Sequence, residues 1–154
     1  MVAGATAGDS AAKPKVLKAF GPNDTTISKA TVLTEDKTWM VDCKKAQTIR
    51  LFEVKEPSVE DCMVIYRTKL KTEGVEGQAY LEMWCRFPGK GEYFSRGLDN
   101  TVTGSNDWAS YETPFFLKKG ERPDLIKLNL VIKGTGKVWV KDVELLKGAL
   151  PGKE

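Results

Sequence analysis

Histidine does not occur in this chain. Its absence removes Ser-His-Asp triads, Cys-His nucleophiles and histidine-built zinc sites. Cysteine is scarce: Cys43, Cys62 and Cys85 stand alone, at spacings that match no metal-ligand pattern. Cys62 and Cys85 fall on inward positions of predicted strands, where a free thiol behaves as a small hydrophobe. A bridge between them across two facing sheets is the alternative. No apolar run approaches the roughly 20 residues of a membrane helix, so no membrane role is expected. No segment sustains a 3.6-residue hydrophobic period, which limits helix to a turn or two. Nor is there a strong excess of one charge, with 24 basic residues against 21 acidic ones and the two signs interspersed. That mixture lacks the continuous basic stripe that tracks phosphates, so nucleic acid is not an expected partner. The glycines never lead a strand into a helix, so phosphate-cradling loops are missing too. No cofactor and no metal-ligand set emerges.

What the chain does contain is period-two alternation. The stretch Gln78–Phe87 (QAYLEMWCRF) puts Ala79, Leu81, Met83, Cys85 and Phe87 on one face, and Tyr80, Glu82, Trp84 and Arg86 on the other. The first face suits a core. The second holds two aromatic rings, an acid and a guanidinium, a set that is either covered or used for binding. Similar patterns run through Thr25–Val41, interrupted at Glu35-Asp36-Lys37, and through Thr48–Val54 and Val59–Thr72. They continue in Glu92–Leu98, Trp108–Leu117, Leu125–Lys133 and Lys137–Leu146. Turns at Pro88–Gly91 and Gly134–Gly136 punctuate them. Strands in this number, separated by Gly and Pro, predict an all-β fold, an antiparallel sandwich or barrel. The expected core includes Val64, Tyr66, Leu70, Leu81, Met83, Ile126, Leu128, Leu130 and Val140. Residues 1–19 are Ala/Gly-rich and aperiodic, so they read as a flexible tail, with one domain over 20–148 and a short tail over 149–154. The tail has no apolar central region, so it is not an intact signal peptide; it suits the start of a mature secreted chain or a linker.

The motif Asn106-Asp107-Trp108, the alternating strand LIKLNLVIKG, and GTGKVWVKDVEL over Gly134–Leu145 together resemble the end of galactose-binding-like jelly rolls. That family includes carbohydrate-binding modules appended to glycosidases, and the resemblance spans roughly Thr31–Leu146. It implies a jelly-roll β-sandwich. One sheet would hold Thr48–Val54, Leu125–Lys133, Gln78–Phe87 and Glu92–Leu98, and the other would hold Thr25–Val41, Lys137–Leu146, Val59–Thr72 and Trp108–Leu117. It implies a sugar-binding face on the exposed side of the first sheet, carrying Tyr80, Glu82, Trp84 and Arg86 with Lys127 and Asn129 beside them. From the hairpin partner either Tyr93 or Phe94, with Arg96 or Ser95, would join. It also raises a structural calcium at Asp142, against the plainer reading that this residue caps a bulge or bonds a loop.

A sugar site needs flat aromatic faces and planar polar groups, which Trp84, Tyr80, Glu82, Arg86, Asn129 and Lys127 supply. Trp39, Trp108 and Trp139 read as core or rim. No carboxylate pair sits in a recognisable catalytic motif, so the expected function is a non-catalytic binding module with a glycan partner, secreted or periplasmic. The alternatives are a structural or protein-interaction domain, including one that self-associates, and a small-ligand sensor domain.

Overall fold

The computed structural model describes residues 13–152. Among the described residues eight strands run in chain order: Lys15–Phe20 (β1), Val32–Leu33 (β2), Trp39–Cys43 (β3), Gln47–Lys55 (β4), Cys62–Phe87 (β5), Gly91–Arg96 (β6), Val102–Leu117 (β7) and Leu125–Gly148 (β8). The helical content among the described residues is one 3-10 turn, Leu98–Asn100.

All pairings are antiparallel, and the two long strands β5 and β8 lie side by side for almost their whole length. Each serves both layers of the sandwich. The first half of β8 pairs with β4 on one side and with the second half of β5 on the other, and β6 closes that sheet beyond β5. The second half of β8 pairs with β3 and β1, and with the first half of β5, beyond which lies β7. These are the two sheets expected from the sequence, joined at a corner where β5 and β8 fold over together.

Two glycines make that corner. Gly77 and Gly134 face each other in the ladder. A Cβ on Gly134 would stand 1.7 Å from the Glu76 carbonyl oxygen, and one on Gly77 would stand 2.2 Å from that of Lys133. The strands approach so closely there that only hydrogen fits.

Between the sheets, Leu81, Met83, Ile126, Leu128 and Leu130 from one layer meet Val64, Tyr66, Leu70, Val140 and Leu145 from the other in one buried cluster. Every residue of the expected core is in it. Aromatic rings tie β1, β3 and β4 together: Phe20 stacks on Phe52 with centroids 4.1 Å apart, and Trp39 meets the Phe52 edge at 5.3 Å. A register shift between Arg50 and Phe52 turns both Leu51 and Phe52 inward.

Three expectations need adjustment. Within Thr25–Val41 only Val32–Leu33 and Trp39–Cys43 are strands. The Thr26 hydroxyl donates to the Ser28 carbonyl at 2.8 Å, one of the local bonds by which Ser and Thr divert backbone from a ladder. The alternation places a strand only from Trp108, yet β7 begins six residues earlier, with Val102 buried opposite Ala79. The tail expected over 1–19 contains most of β1, whose Lys15–Phe20 pair with β8; residues 1–12 lie outside the described residues.

Candidate functional site

The outward side of the first sheet is a grid of cross-strand rows. Arg50, Asn129, Glu82 and Arg96 form one row, and Glu53, Lys127, Trp84 and Phe94 form the next. Tyr80 lies beside Val131, which faces Thr48. The β5–β6 register settles which residues of the hairpin partner join. Phe94 stands opposite Trp84 and Arg96 opposite Glu82, whereas Tyr93 and Ser95 oppose the inward-facing Cys85 and Met83.

Glu82 organises the grid. One carboxylate oxygen accepts from Trp84 Nε1 at 2.8 Å and from Asn129 Nδ2 at 3.1 Å. The other accepts from Arg96 Nε at 2.8 Å. Burial is the largest single influence on this carboxyl and pushes its pKa up. The bonds from Asn129, Arg96 and Trp84 together outweigh it and hold the group below its ordinary value. The Arg96 guanidinium also lies over the Phe94 ring, 3.9 Å from its centroid, and Phe94 leans on Trp84 at 5.1 Å. Hydrogen bonding and stacking thus fix Trp84, Phe94 and Arg96 as one unit.

The remaining charges on this face pair among themselves. Lys127 meets Glu92 at 2.8 Å, and Arg50 meets Glu53 at 2.6 Å. Arg86 forms a forked contact with Asp124 at 2.9 and 3.2 Å, which raises the pKa of Arg86 and lowers that of Asp124. Among the six residues singled out in the sequence, Tyr80, Glu82 and Asn129 are each only 5% exposed, Trp84 and Lys127 are half-buried, and Arg86 is exposed. Tyr80 therefore keeps little ring surface, and Phe94, at 48%, offers more. The Asn129 Oδ1 atom is buried without a hydrogen-bond partner.

Trp39 is core, whereas Trp108 and Trp139 are half-buried, each faced by an ammonium, Lys141 at 4.3 Å and Lys71 at 5.3 Å. All three cysteines are free and buried, and burial pushes the Cys85 thiol up to about 12.

Asp142 sits at a bulge with φ 54°, where β5 and β8 lose register between Arg67 and Lys69. Its carboxylate faces the Lys69 ammonium at 3.6 Å. No group of three His, Cys, Asp or Glu gathers among the described residues. This donor set does not fit a calcium ion, which needs six or more oxygens. Chelation is expected to leave the melting temperature unchanged in a thermal scan. A fall of many degrees that calcium alone restored would make Asp142 a ligand.

No protein-family model matches the chain, and no curated protein sequence matches it. Solved structures do. The CBM22-1 xylan-binding domain of Paenibacillus barcinonensis Xyn10C superposes with a TM-score of 0.51 at 8% identity, over 91% of this chain and 99% of that one. The fold is a two-sheet jelly roll, the architecture it shares with that module. BiXyn10A CBM1 gives a TM-score of 0.51 at 10% identity, over 85% of this chain and 97% of that one. The CBM22-1–GH10 modules of Clostridium thermocellum Xyn10B, complexed with xylohexaose, give 0.53 at 11% identity over 85% of this chain and 26% of that longer one. At these identities the likeness is one of architecture, and the chemistry of a site must come from this chain's own residues.

Proposed function

We propose that this chain is a non-catalytic carbohydrate-binding module, and that it holds a neutral oligosaccharide on the outward side of the β4–β8–β5–β6 sheet. The observation that carries the reading is the unit of Trp84, Phe94 and Arg96 fixed by Glu82. Sugar rings present flat C–H surfaces that lose water on contact with aromatic faces, and hydroxyls that need planar, oriented polar partners. A pre-ordered unit loses little side-chain freedom when a ligand arrives.

Charge supports a neutral ligand. Glu82, Glu92, Asp124 and Glu53 each have a cationic partner, as do the bases that face them. Acid–base cleavage needs a carboxyl group free to give or take a proton at the sugar, and these four are engaged. Binding without cleavage is the chemistry that remains. The neighbouring folds named for xylan or complexed with xylohexaose make a xylo-oligosaccharide the first ligand to try. Such a ligand is met outside the cell, in accord with a secreted or periplasmic protein.

Trp84→Ala is expected to abolish xylohexaose binding, measured by calorimetry, with the unfolding transition retained. The side chain points away from the core, and ring contacts of this kind contribute about 0.5–1.5 kcal/mol beyond the apolar area they bury, together enough to erase a weak interaction. Absence of heat with xylohexaose and other neutral glycans on the wild-type protein would sink the proposal.

A further inference from the structure

A cleft of about 380 Å³ opens between the β5–β6 turn and the β7–β8 loop. It has no part in the site described above except at one residue: Phe94 belongs to both. Five aromatic side chains line it, Phe87, Tyr93, Phe94, Phe115 and Phe116. Tyr93 is 53% exposed, Phe116 49% and Phe94 48%, so three of these rings stand half in solvent. Volume and lining match a small-molecule site rather than a packing defect.

Its charges are one-sided. Lys90, Lys118 and Arg122 border the cleft, against the single acid Glu121. Arg122 is held by Glu60, and the Glu121 carboxylate accepts the Lys118 backbone N–H at 2.7 Å. Glu60 also accepts the Gly120 N–H, and the Asp124 N–H donates to the Arg86 carbonyl at 2.9 Å, so the loop is fixed at both ends. The Lys90 and Lys118 ammonium groups have no ion pair among the described residues. The outward face of the sheet is charge-balanced, whereas this aromatic cleft beside it is bordered by two cations without an ion pair.

We infer that the cleft binds a sugar residue bearing a carboxylate, a uronic acid carried by a glycan whose neutral part lies on the adjoining face. The inference rests on the glycan-binding reading. Sugar C–H surface would stack on Tyr93 and Phe116, and the carboxylate would take charge-assisted hydrogen bonds from Lys90 and Lys118. Continuity through Phe94 lets one ligand reach both places. Linking two weak contacts in this way raises affinity by effective concentration.

The test titrates xylohexaose, and the same oligosaccharide carrying one uronic acid, into wild type and into the Lys90→Gln/Lys118→Gln double variant. Both lysines are exposed, so circular dichroism should show an intact fold. The acidic ligand is expected to bind wild type about tenfold more tightly than the neutral one, the effect of one charge-assisted bond. The double variant should erase that preference and leave neutral binding unchanged. Neutral binding without the preference, or a preference that survives the double variant, overturns the cleft assignment and leaves the glycan-binding reading standing. If neither oligosaccharide binds, that reading fails, and methyl glucuronide followed by amide shifts at Phe116 and Lys118 judges the cleft alone. Shifts there support it and their absence overturns it. A concentration-dependent dimer whose formation buries Tyr93 and Phe116 also overturns it.

Discussion

Gly134→Ala is expected to lower stability by about 4 kcal/mol or more, which places it among the rare large single-residue effects. The added Cβ would stand 1.7 Å from the Glu76 carbonyl oxygen and 3.1 Å from the Gly77 Cα, both of them backbone atoms. No side-chain rotation relieves such a contact. The strands must part instead, at the place where β5 and β8 leave one sheet for the other and where the ladder already shifts between Glu73 and Glu76. A domain of this size has total stability of about 5–15 kcal/mol, so the variant would be marginal or unfolded at 37 °C. Gly89→Ala is the control. Gly89 has φ +74° in the β5–β6 turn with nothing within 4 Å of its Cβ position, so strain alone should cost about 1 kcal/mol. Urea unfolding of the two variants checks the contrast. Equal midpoints would mean that the corner is not held by close approach.

The corner also shows what the sequence made legible. The run Gly134-Thr135-Gly136 reads as a turn, and it does separate two alternating stretches. The structure, however, keeps the chain in strand conformation throughout Leu125–Gly148 and bends it instead. Alternation reports which side chains face inward, and there it was sufficient: Leu81, Met83, Leu128 and Leu130 are all fully or almost fully buried. It says little about hydrogen-bonding partners. The strand β1 went unread because Lys15–Phe20 adjoin a run of small residues and four of the six are exposed, so little hydrophobic contrast marks the segment.

The candidate face divides in the same way. Alternation puts Trp84 and Glu82 on one face of their strand, the jelly-roll order that the resemblance implies puts Asn129 and Lys127 beside them, and the register has these four side by side. Phe94 and Arg96 could not be chosen over Tyr93 and Ser95, because EYFSR has aromatic and polar residues on both of its faces. The burial of Tyr80 had one visible signal, an outward-facing valine at position 131 in the neighbouring strand. That Arg86 pairs with Asp124 was beyond reach, since the acid lies 38 residues away in a loop whose path no periodicity describes.

Glu82→Ala is expected to cost about 2–3 kcal/mol in stability and all glycan binding. Breaking a fully buried ion pair from one side typically costs about 3–5 kcal/mol, and the present pair falls below that range because the Arg96 side chain is 34% exposed. Three donors lose their acceptor at once: Asn129 Nδ2, Trp84 Nε1 and Arg96 Nε. Asn129 is buried and cannot turn to water, so it carries the largest penalty. Glu82→Gln separates stability from charge. Its amide oxygen can still accept from Trp84 and Asn129, but its NH₂ group would face the Arg96 N–H, donor against donor. The fold should persist while Arg96 leaves the Phe94 ring and affinity falls. The pH dependence follows from the same bonds. The folded carboxyl lies below its ordinary value of 4.5, so on acidification the unfolded chain takes up a proton first. The stabilisation by Glu82 is therefore present above about pH 4.5 and lost as pH falls through the folded pKa. Urea midpoints between pH 7 and pH 3 should fall less steeply for Glu82→Gln than for wild type. If the two profiles were parallel, the carboxylate would not be what holds Trp84 and Arg96 in place.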